Sequence, residues 1–232
     1  MSEKFRNYWQ DKTDSGHRFK DERWFRKLAE ELLYLFPVRG ALLDVGSGDA
    51  KILTYLAPHF DSVTGIDVSE SMLGEAGKRV KESGITNIRL KQGDACHFPD
   101  SVGKADLILS YQVAQHLEPE EIKMHLQECK RVLNPGGMVG ICSIPWANLR
   151  YLYESNGLLG KSLSPLSMVL HYYLRRPKRI CSQIKHGLSI MGLWYTHDQI
   201  KAIADAEGFN CEIVTSWYYE YRFHAILSCS DI

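Results

Sequence analysis

Leu42-Leu43-Asp44-Val45-Gly46-Ser47-Gly48-Asp49-Ala50 is the stretch on which the reading of this chain turns. An apolar run, Gly40 to Val45, ends in two glycines one residue apart, and a helix-like segment, Lys51 to Phe60, follows. Strand, glycine turn and helix in succession form an arrangement that binds the adenosyl part of a cofactor. Glycine permits positive φ and lets a ligand approach the backbone with no Cβ in the way. A second strand-like run, Ser62 to Ile66, ends in Asp67, 19 residues beyond Gly48. An acidic residue about 20 residues on is where ribose hydroxyls are held. The third glycine of a dinucleotide fingerprint would fall three residues after the second. That position is Lys51, which argues against NAD or FAD.

The pattern continues outward. Pro37 and Gly40 close a helical stretch over Asp21 to Phe36, in which Trp24, Leu28, Leu32 and Leu35 share a face. Ser69 is an N-cap for a helix with Met72 and Ala76 turned inward. Asn87–Leu90, Ala105–Ser110 and Met138–Ser143 read as further strands. Pro119–Leu133 and Asp198–Glu207 read as helices. At the C-terminal end, Asn210–Tyr219 and Tyr221–Cys229 are two strand-like runs with almost nothing between them, so they must pair antiparallel. The expected fold is α/β. It is a doubly wound, mostly parallel seven-stranded sheet with a C-terminal antiparallel hairpin strand and helices on both faces.

A single domain is expected over residues 1–232, with an N-terminal helical flap over 1–36 and an insertion over about 144–193. The insertion is far longer than an ordinary connection. It follows a strand's C-terminal end, where open α/β sheets bind ligands, so it is expected to act as a substrate lid. It holds Trp146, Tyr151, Tyr153, Tyr172 and Tyr173, and the basic run Arg175-Arg176-Pro177-Lys178-Arg179.

Composition narrows the function classes. The hydrophobic share of 44% and charged share of 24% are those of an ordinary globular protein. Lys+Arg and Asp+Glu are both 28, so the net charge is zero, and no general nucleic-acid partner is expected. No apolar run approaches the ~20 residues of a membrane-spanning helix, and the N-terminus lacks the apolar core of a secretion signal. A cytoplasmic location is expected, with peripheral membrane contact left open by the basic run. The six cysteines are scattered without a C-x-x-C pair, so neither a zinc site nor a disulfide framework is expected, and no metal is assigned.

Taken in order, these segments resemble the class I S-adenosylmethionine-dependent methyltransferases, of the small-molecule type. The resemblance covers about residues 36–144 and the C-terminal part from Thr196. Asp44-Val45-Gly46-Ser47-Gly48 is similar to the family's first motif, and Gly65-Ile66-Asp67-Val68-Ser69 followed by Met72-Leu73 to its second. Gly93-Asp94-Ala95 is similar to the third, and Asp106 to Ser110 with Val113 to Leu117 to the fourth. Arg131 to Gly137 is similar to the turn before the fifth strand. The implied cofactor is S-adenosylmethionine. Its implied contacts are Asp44, Gly46, Ser47, Gly48, Asp67, Val68, Met72, Asp94, Ala95, Ser110 and Tyr111. Asp67 would meet the ribose hydroxyls and Asp94 the adenine amino group. Tyr8 and Trp9 would fold over the cofactor, with Arg18 near its carboxylate.

His116 is the leading candidate for a catalytic general base, since histidine titrates near neutral pH. It can equally pack structurally beside the loop. Gln112, Trp146, Arg175, Arg176 and Arg179 are expected to contact the acceptor, which the arginines imply is anionic. Departures from other branches narrow that acceptor. Ser110-Tyr111-Gln112-Val113 is not the Asn/Asp-Pro-Pro-aromatic loop that grips a nucleobase amine. No Pro-Cys pair, two-glutamate loop or Asp/Asp/Asn metal arrangement is recognisable. A small-molecule or carbohydrate- or lipid-linked acceptor methylated on oxygen is therefore expected. An RNA or protein methyltransferase and a catalytically idle S-adenosylmethionine-binding protein are the rivals.

Overall fold

The structure is a computed structural model of the chain, and it describes residues 3–10, 12, 21–154 and 192–229. Seven strands form one sheet: β1 (Ala41–Val45), β2 (Ser62–Asp67), β3 (Ile88–Gln92), β4 (Ala105–Tyr111), β5 (Leu133–Pro145), β6 (Phe209–Thr215) and β7 (Arg222–Cys229). Their spatial order is β3-β2-β1-β4-β5-β7-β6. The first five are parallel, and β7 runs antiparallel to both β5 and β6. The expected hairpin strand is thus inserted between β5 and β6. The order reverses between β1 and β4, and the crevice at that reversal is where such sheets bind ligands.

The helices are α1 (Glu3–Gln10), α2 (Glu22–Leu35), α3 (Leu53–Leu56), α4 (Glu70–Ser83), α5 (Pro119–Val132), α6 (Arg150–Glu154) and α7 (His197–Ala206). Several start at a capping side chain, of which Ser69 was read from the sequence. Asp21 accepts the Arg23 N–H at 2.9 Å, and Ser69 accepts the Met72 N–H at 3.2 Å. Thr196 and Gln199 cap α7 reciprocally. One face of the sheet packs Leu43, Val45, Ile108 and Ile141 against α5 and α7. The other packs Leu42, Leu107 and Leu109 against Phe25, Leu28 and Leu32 of α2. Side chains alternate between the two cores along each strand, as the pleat requires.

Three expectations need correction. The helix expected over Lys51–Phe60 is only the single turn of α3, followed by a 3-10 turn over Ala57–His59. Ala50 takes positive φ (59°), which delays the start, and Pro58 lacks the N–H that would continue an α-helix. With one turn there is little dipole to offer an anion. The β3 strand starts one residue later and ends two residues later than Asn87–Leu90, and β6 ends at Thr215, where Ser216 to Tyr219 turn back towards α2. The described ends of the insertion form a neck. Tyr195 donates its N–H to the Pro145 carbonyl at 3.0 Å, and Ala147 donates to Tyr195 at 2.8 Å.

Candidate active site

The glycine turn that ends β1 is held by β2. Gly46 and Ser47 both donate their N–H groups to the Ile66 carbonyl, at 2.7 and 3.0 Å. Gly46 has a φ of 73°, and a Cβ there would lie 2.5 Å from the Val113 side chain. A second glycine matters for another reason. A Cβ on Gly65 would stand 3.0 Å from both Ser47 and Leu53, so β2 leaves room for the turn to settle against it. Asp67 then closes the arrangement. One carboxylate oxygen accepts the Gly48 N–H at 2.8 Å and the other the Ser69 N–H at 2.9 Å. The 19-residue spacing read from the sequence is therefore a hydrogen bond.

A cavity of about 1010 Å³, counting its solvent-filled mouth, opens at the β1/β4 reversal. Of the residues named from the sequence, Asp44, Gly46, Ser47, Gly48, Asp67, Val68, Met72, Ala95, Tyr111, Gln112 and His116 line it, and Trp9 closes one side. Asp94 lies between the lining residues Gly93 and Ala95, and one of its oxygens accepts the Cys96 N–H at 2.8 Å. Two named residues stand elsewhere. Ser110 is buried on the opposite face of β4, where its Oγ meets His125 Nε2 at 2.7 Å. Period-two alternation puts it there, one residue away from the cavity face used by Tyr111. Trp146 stacks on His197 at 4.3 Å, in the neck of the insertion and not in the cavity. Arg18, Tyr172, Tyr173, Arg175, Arg176, Lys178 and Arg179 lie outside the described residues.

The electrostatics favour a cation. Burial and the neighbouring Asp67 carboxylate raise Asp44 to about 7, and burial raises Asp67 against the pull of its backbone donors. Asp49 pairs with Lys51 at 2.6 Å. Ser47 Oγ is buried with no hydrogen-bonding partner among the described residues. Repelling carboxylates, an orphaned hydroxyl and a backbone cradle closed to any Cβ together suit a nucleoside ligand that carries positive charge. Among the described residues, no group of three His, Cys, Asp or Glu is placed to hold a metal ion. No described helix is long and apolar enough to cross a membrane.

The opposite wall joins residues named from the sequence to two, Gln115 and Arg222, that sequence reasoning passed over. Gln112, which follows β4, has a φ of 61°, a conformation rare for a residue with a side chain. Its N–H donates to the Cys142 carbonyl at 2.9 Å. The Trp9 ring meets His116 edge-on at 5.3 Å, and Ser69 donates to the Gln10 carbonyl at 3.3 Å, which ties α1 across the site. Gln115 Nε2 lies 3.1 Å from His116 Nε2, and Gln115 Oε1 accepts from Arg222 at 2.9 Å. Burial and the Arg222 charge draw His116 down to about 3. That environment speaks against the general-base role expected of His116. No local motif marks Gln115 or Arg222. They stand 107 residues apart and meet only because β7 pairs with β5.

Comparisons with known proteins agree with this geometry. Residues 42–137 match the family model for a methyltransferase domain. The chain is 28% identical over 139 residues to human EEF1A lysine methyltransferase 2, covering 57% of this chain and 56% of that protein. It is 27% identical over 109 residues to a ubiquinone biosynthesis O-methyltransferase of Rhizobium leguminosarum, covering 47% and 42%. The chain thus spans about half the length of these curated relatives. Among solved structures it is similar to a DhpI–SAH complex, with a TM-score of 0.66 and 18% identity, over 98% of this chain and 96% of that one. It is also similar to an S-adenosylmethionine-dependent methyltransferase from Clostridium acetobutylicum, with a TM-score of 0.64 and 14% identity, over 98% of both. The strand order, the glycine turn locked to Asp67 and the matching family model lead to one conclusion: residues 42–137 match a methyltransferase domain, set in a chain with the fold of the class I S-adenosylmethionine-dependent methyltransferases.

Proposed function

We propose that the protein transfers a methyl group from S-adenosylmethionine to an oxygen of a small or precursor-linked acceptor. The observation that carries this reading is the cavity itself. Its carboxylate-lined end suits the cofactor. Its other end is lined by Trp9, Tyr111, Gln112 and His116, an aromatic and polar lining that suits a small acceptor group. S-adenosylmethionine supplies an activated methyl on a sulfonium, whose carbon–sulfur electron pair returns to sulfur as the acceptor's pair forms the new bond. The protein must therefore bind, align and exclude water.

The residues divide that work. Both Asp67 oxygens keep a lone pair beyond their backbone bonds, which suits two ribose hydroxyls. Asp94, as a carboxylate acceptor held in its turn by the Cys96 N–H, suits the adenine amino group. Asp44 answers the cofactor's positive charge. Val68, Met72 and Ala95 supply apolar walls, and Tyr111, whose phenol burial holds neutral, borders the transfer site. Gln112 faces the acceptor. The insertion over 144–193 acts as a lid with Arg175, Arg176 and Arg179 towards an anionic acceptor, all within a single domain that α1 covers as a flap.

Methylation of a protein side chain is the second reading, favoured by the human lysine methyltransferase among the relatives. Purified protein with methyl-labelled cofactor, offered small-molecule pools and protein extracts separately, tests both. Label in an organic-soluble or small polar product is expected. Label confined to protein would overturn the first reading.

A further inference from the structure

Arg222 is a guanidinium with only 4% of its surface exposed, and among the described residues no carboxylate lies within ion-pair distance of it. Its Nη1 donates to the Ser143 carbonyl and its Nη2 to Gln115 Oε1 at 2.9 Å, while Tyr221 and Tyr219 flank it at 5.4 and 5.9 Å. Burying a cation without a paired carboxylate is costly, so its position calls for a use.

Donor and acceptor chemistry supplies one. Arginine has donors and no acceptor. The Gln115 atom facing it must therefore be the carbonyl oxygen, since the reversed amide would set two donors against each other. The Gln115 amide nitrogen then faces His116 Nε2 at 3.1 Å, and it can only donate. The Nε2 lone pair is thereby taken up, and the ring proton falls to Nδ1. The backbone of Gln115 is pinned as well. Its carbonyl accepts the Leu193 N–H at 2.8 Å, and a Cβ on neighbouring Gly192 would lie 2.2 Å from that oxygen.

Building on the methyl-transfer reading, we propose that Arg222 and Gln115 are positioning residues that fix His116 as its Nδ1–H tautomer. The imidazole then takes no proton from the acceptor, and the protein methylates an oxygen already ionised at neutral pH. Transfer to an oxyanion, such as a carboxylate, an acidic phenolate or a phosphonate, sheds no proton. Transfer to a neutral alcohol must shed one, and among the described residues the other titratable groups of the cavity are committed. Asp49 is paired with Lys51, Asp67 with the Gly48 and Ser69 amides, Asp44 faces the cationic end, and Tyr111 is a neutral phenol.

Long-range proton–nitrogen correlation spectra of the nitrogen-15-labelled full chain, assigned with His116→Gln, read the tautomer directly and need no turnover. His116 is expected to show an unprotonated Nε2 and a protonated Nδ1. In Gln115→Glu, which accepts from both neighbours, the proton should move to Nε2. Arg222→Met should leave Gln115 free to turn over and produce a mixture. A wild-type His116 already protonated at Nε2 overturns the proposal, as does a tautomer indifferent to Gln115→Glu in a folded variant. The acceptor class is read separately. At fixed cofactor, kcat/KM should rise about tenfold per pH unit below the acceptor's own pKa and level off above it. Faster turnover of aliphatic alcohols than of carboxylates, phenols and phosphonates of similar size would overturn that half. Loss of cofactor binding in calorimetry would instead defeat the methyl-transfer reading and leave the tautomer standing.

Discussion

Asp44, 7% exposed at the end of β1, is the group whose charge state answers most directly to a ligand. Its carboxyl titrates near 7 because burial and Asp67 both oppose ionisation. At pH 6 the empty site therefore holds a proton on Asp44. Binding a cationic ligand favours the ionised form, and that proton leaves. The calorimetric enthalpy of S-adenosylmethionine binding at pH 6 should consequently vary with the ionisation heat of the buffer. Asp44→Asn should abolish that variation, and an enthalpy independent of buffer in the wild type would contradict the cationic-site argument. Asp67→Ala should lower affinity for the cofactor by roughly tenfold to a hundredfold, from charge-assisted bonds worth ~1.5–3 kcal/mol. These residues were legible in the sequence, because glycines and an acid at fixed spacing need no knowledge of the fold. Ser110 was misplaced by one position of strand alternation. Arg222 and Gln115 were not legible at all, since their partnership exists only after β7 inserts beside β5.

Among the elements, the strands were read more accurately than the segment after the glycine turn. Apolar runs such as Leu107 to Leu109 can only be buried strands here, whereas Lys51 to Phe60 has helical composition but is delayed by the positive φ of Ala50 and interrupted at Pro58. Two substitutions test what local chemistry does for these elements. Thr196 Oγ1 accepts the Gln199 N–H at 3.1 Å, and Gln199 returns a bond to the Thr196 N–H at 2.8 Å. Thr196→Ala should cost about 1 kcal/mol and lower Tm by roughly 2–4 °C, with cofactor affinity unchanged. Gly65→Ala should do the reverse. Its Cβ would press on Ser47 and Leu53 at 3.0 Å, so the turn must shift outward into the cavity. Cofactor affinity should fall by more than the loss in Tm would imply. A calorimetric affinity equal to the wild type would mean that the turn has room to give.

At the scale of the whole molecule, two features reach beyond the cavity. The first is acid sensitivity. His125 sits in the core between Ser110 and the Ala95 carbonyl, and burial lowers it to about 4. An unfolded histidine titrates near 6.5. Between those values the unfolded chain binds a proton that the folded one refuses, so stability falls as pH drops from about 6.5 to about 4. Full expression is worth roughly 3 kcal/mol at most. His116 acts in the same direction, and Asp44 in the opposite one, so the comparison is between variants. Urea unfolding of His125→Gln should lose less stability between pH 7 and pH 5 than the wild type does. An equal loss would show that His125 carries no part of the slope.

The second feature is the insertion, whose neck returns through Leu193 to the backbone of Gln115, beside the wall that carries His116. The described end of the insertion is therefore tethered next to that wall. Its sequence holds Arg175, Arg176, Lys178 and Arg179 within five residues, in a chain with no net charge. Guanidinium forks match carboxylate and phosphate-like oxygens in geometry as well as charge. On the proposed reading, an acceptor that arrives ionised meets both this run and a wall that takes no proton from it. Replacing Arg175, Arg176 and Arg179 together by Gln should raise the acceptor KM and leave cofactor affinity nearly unchanged. The wild-type KM should also rise with salt, because exposed charges are screened over ~8–10 Å at physiological ionic strength, and the triple variant should lose most of that salt dependence. A KM indifferent to both changes would leave the run as a solvated surface and place the acceptor's recognition entirely within the cavity.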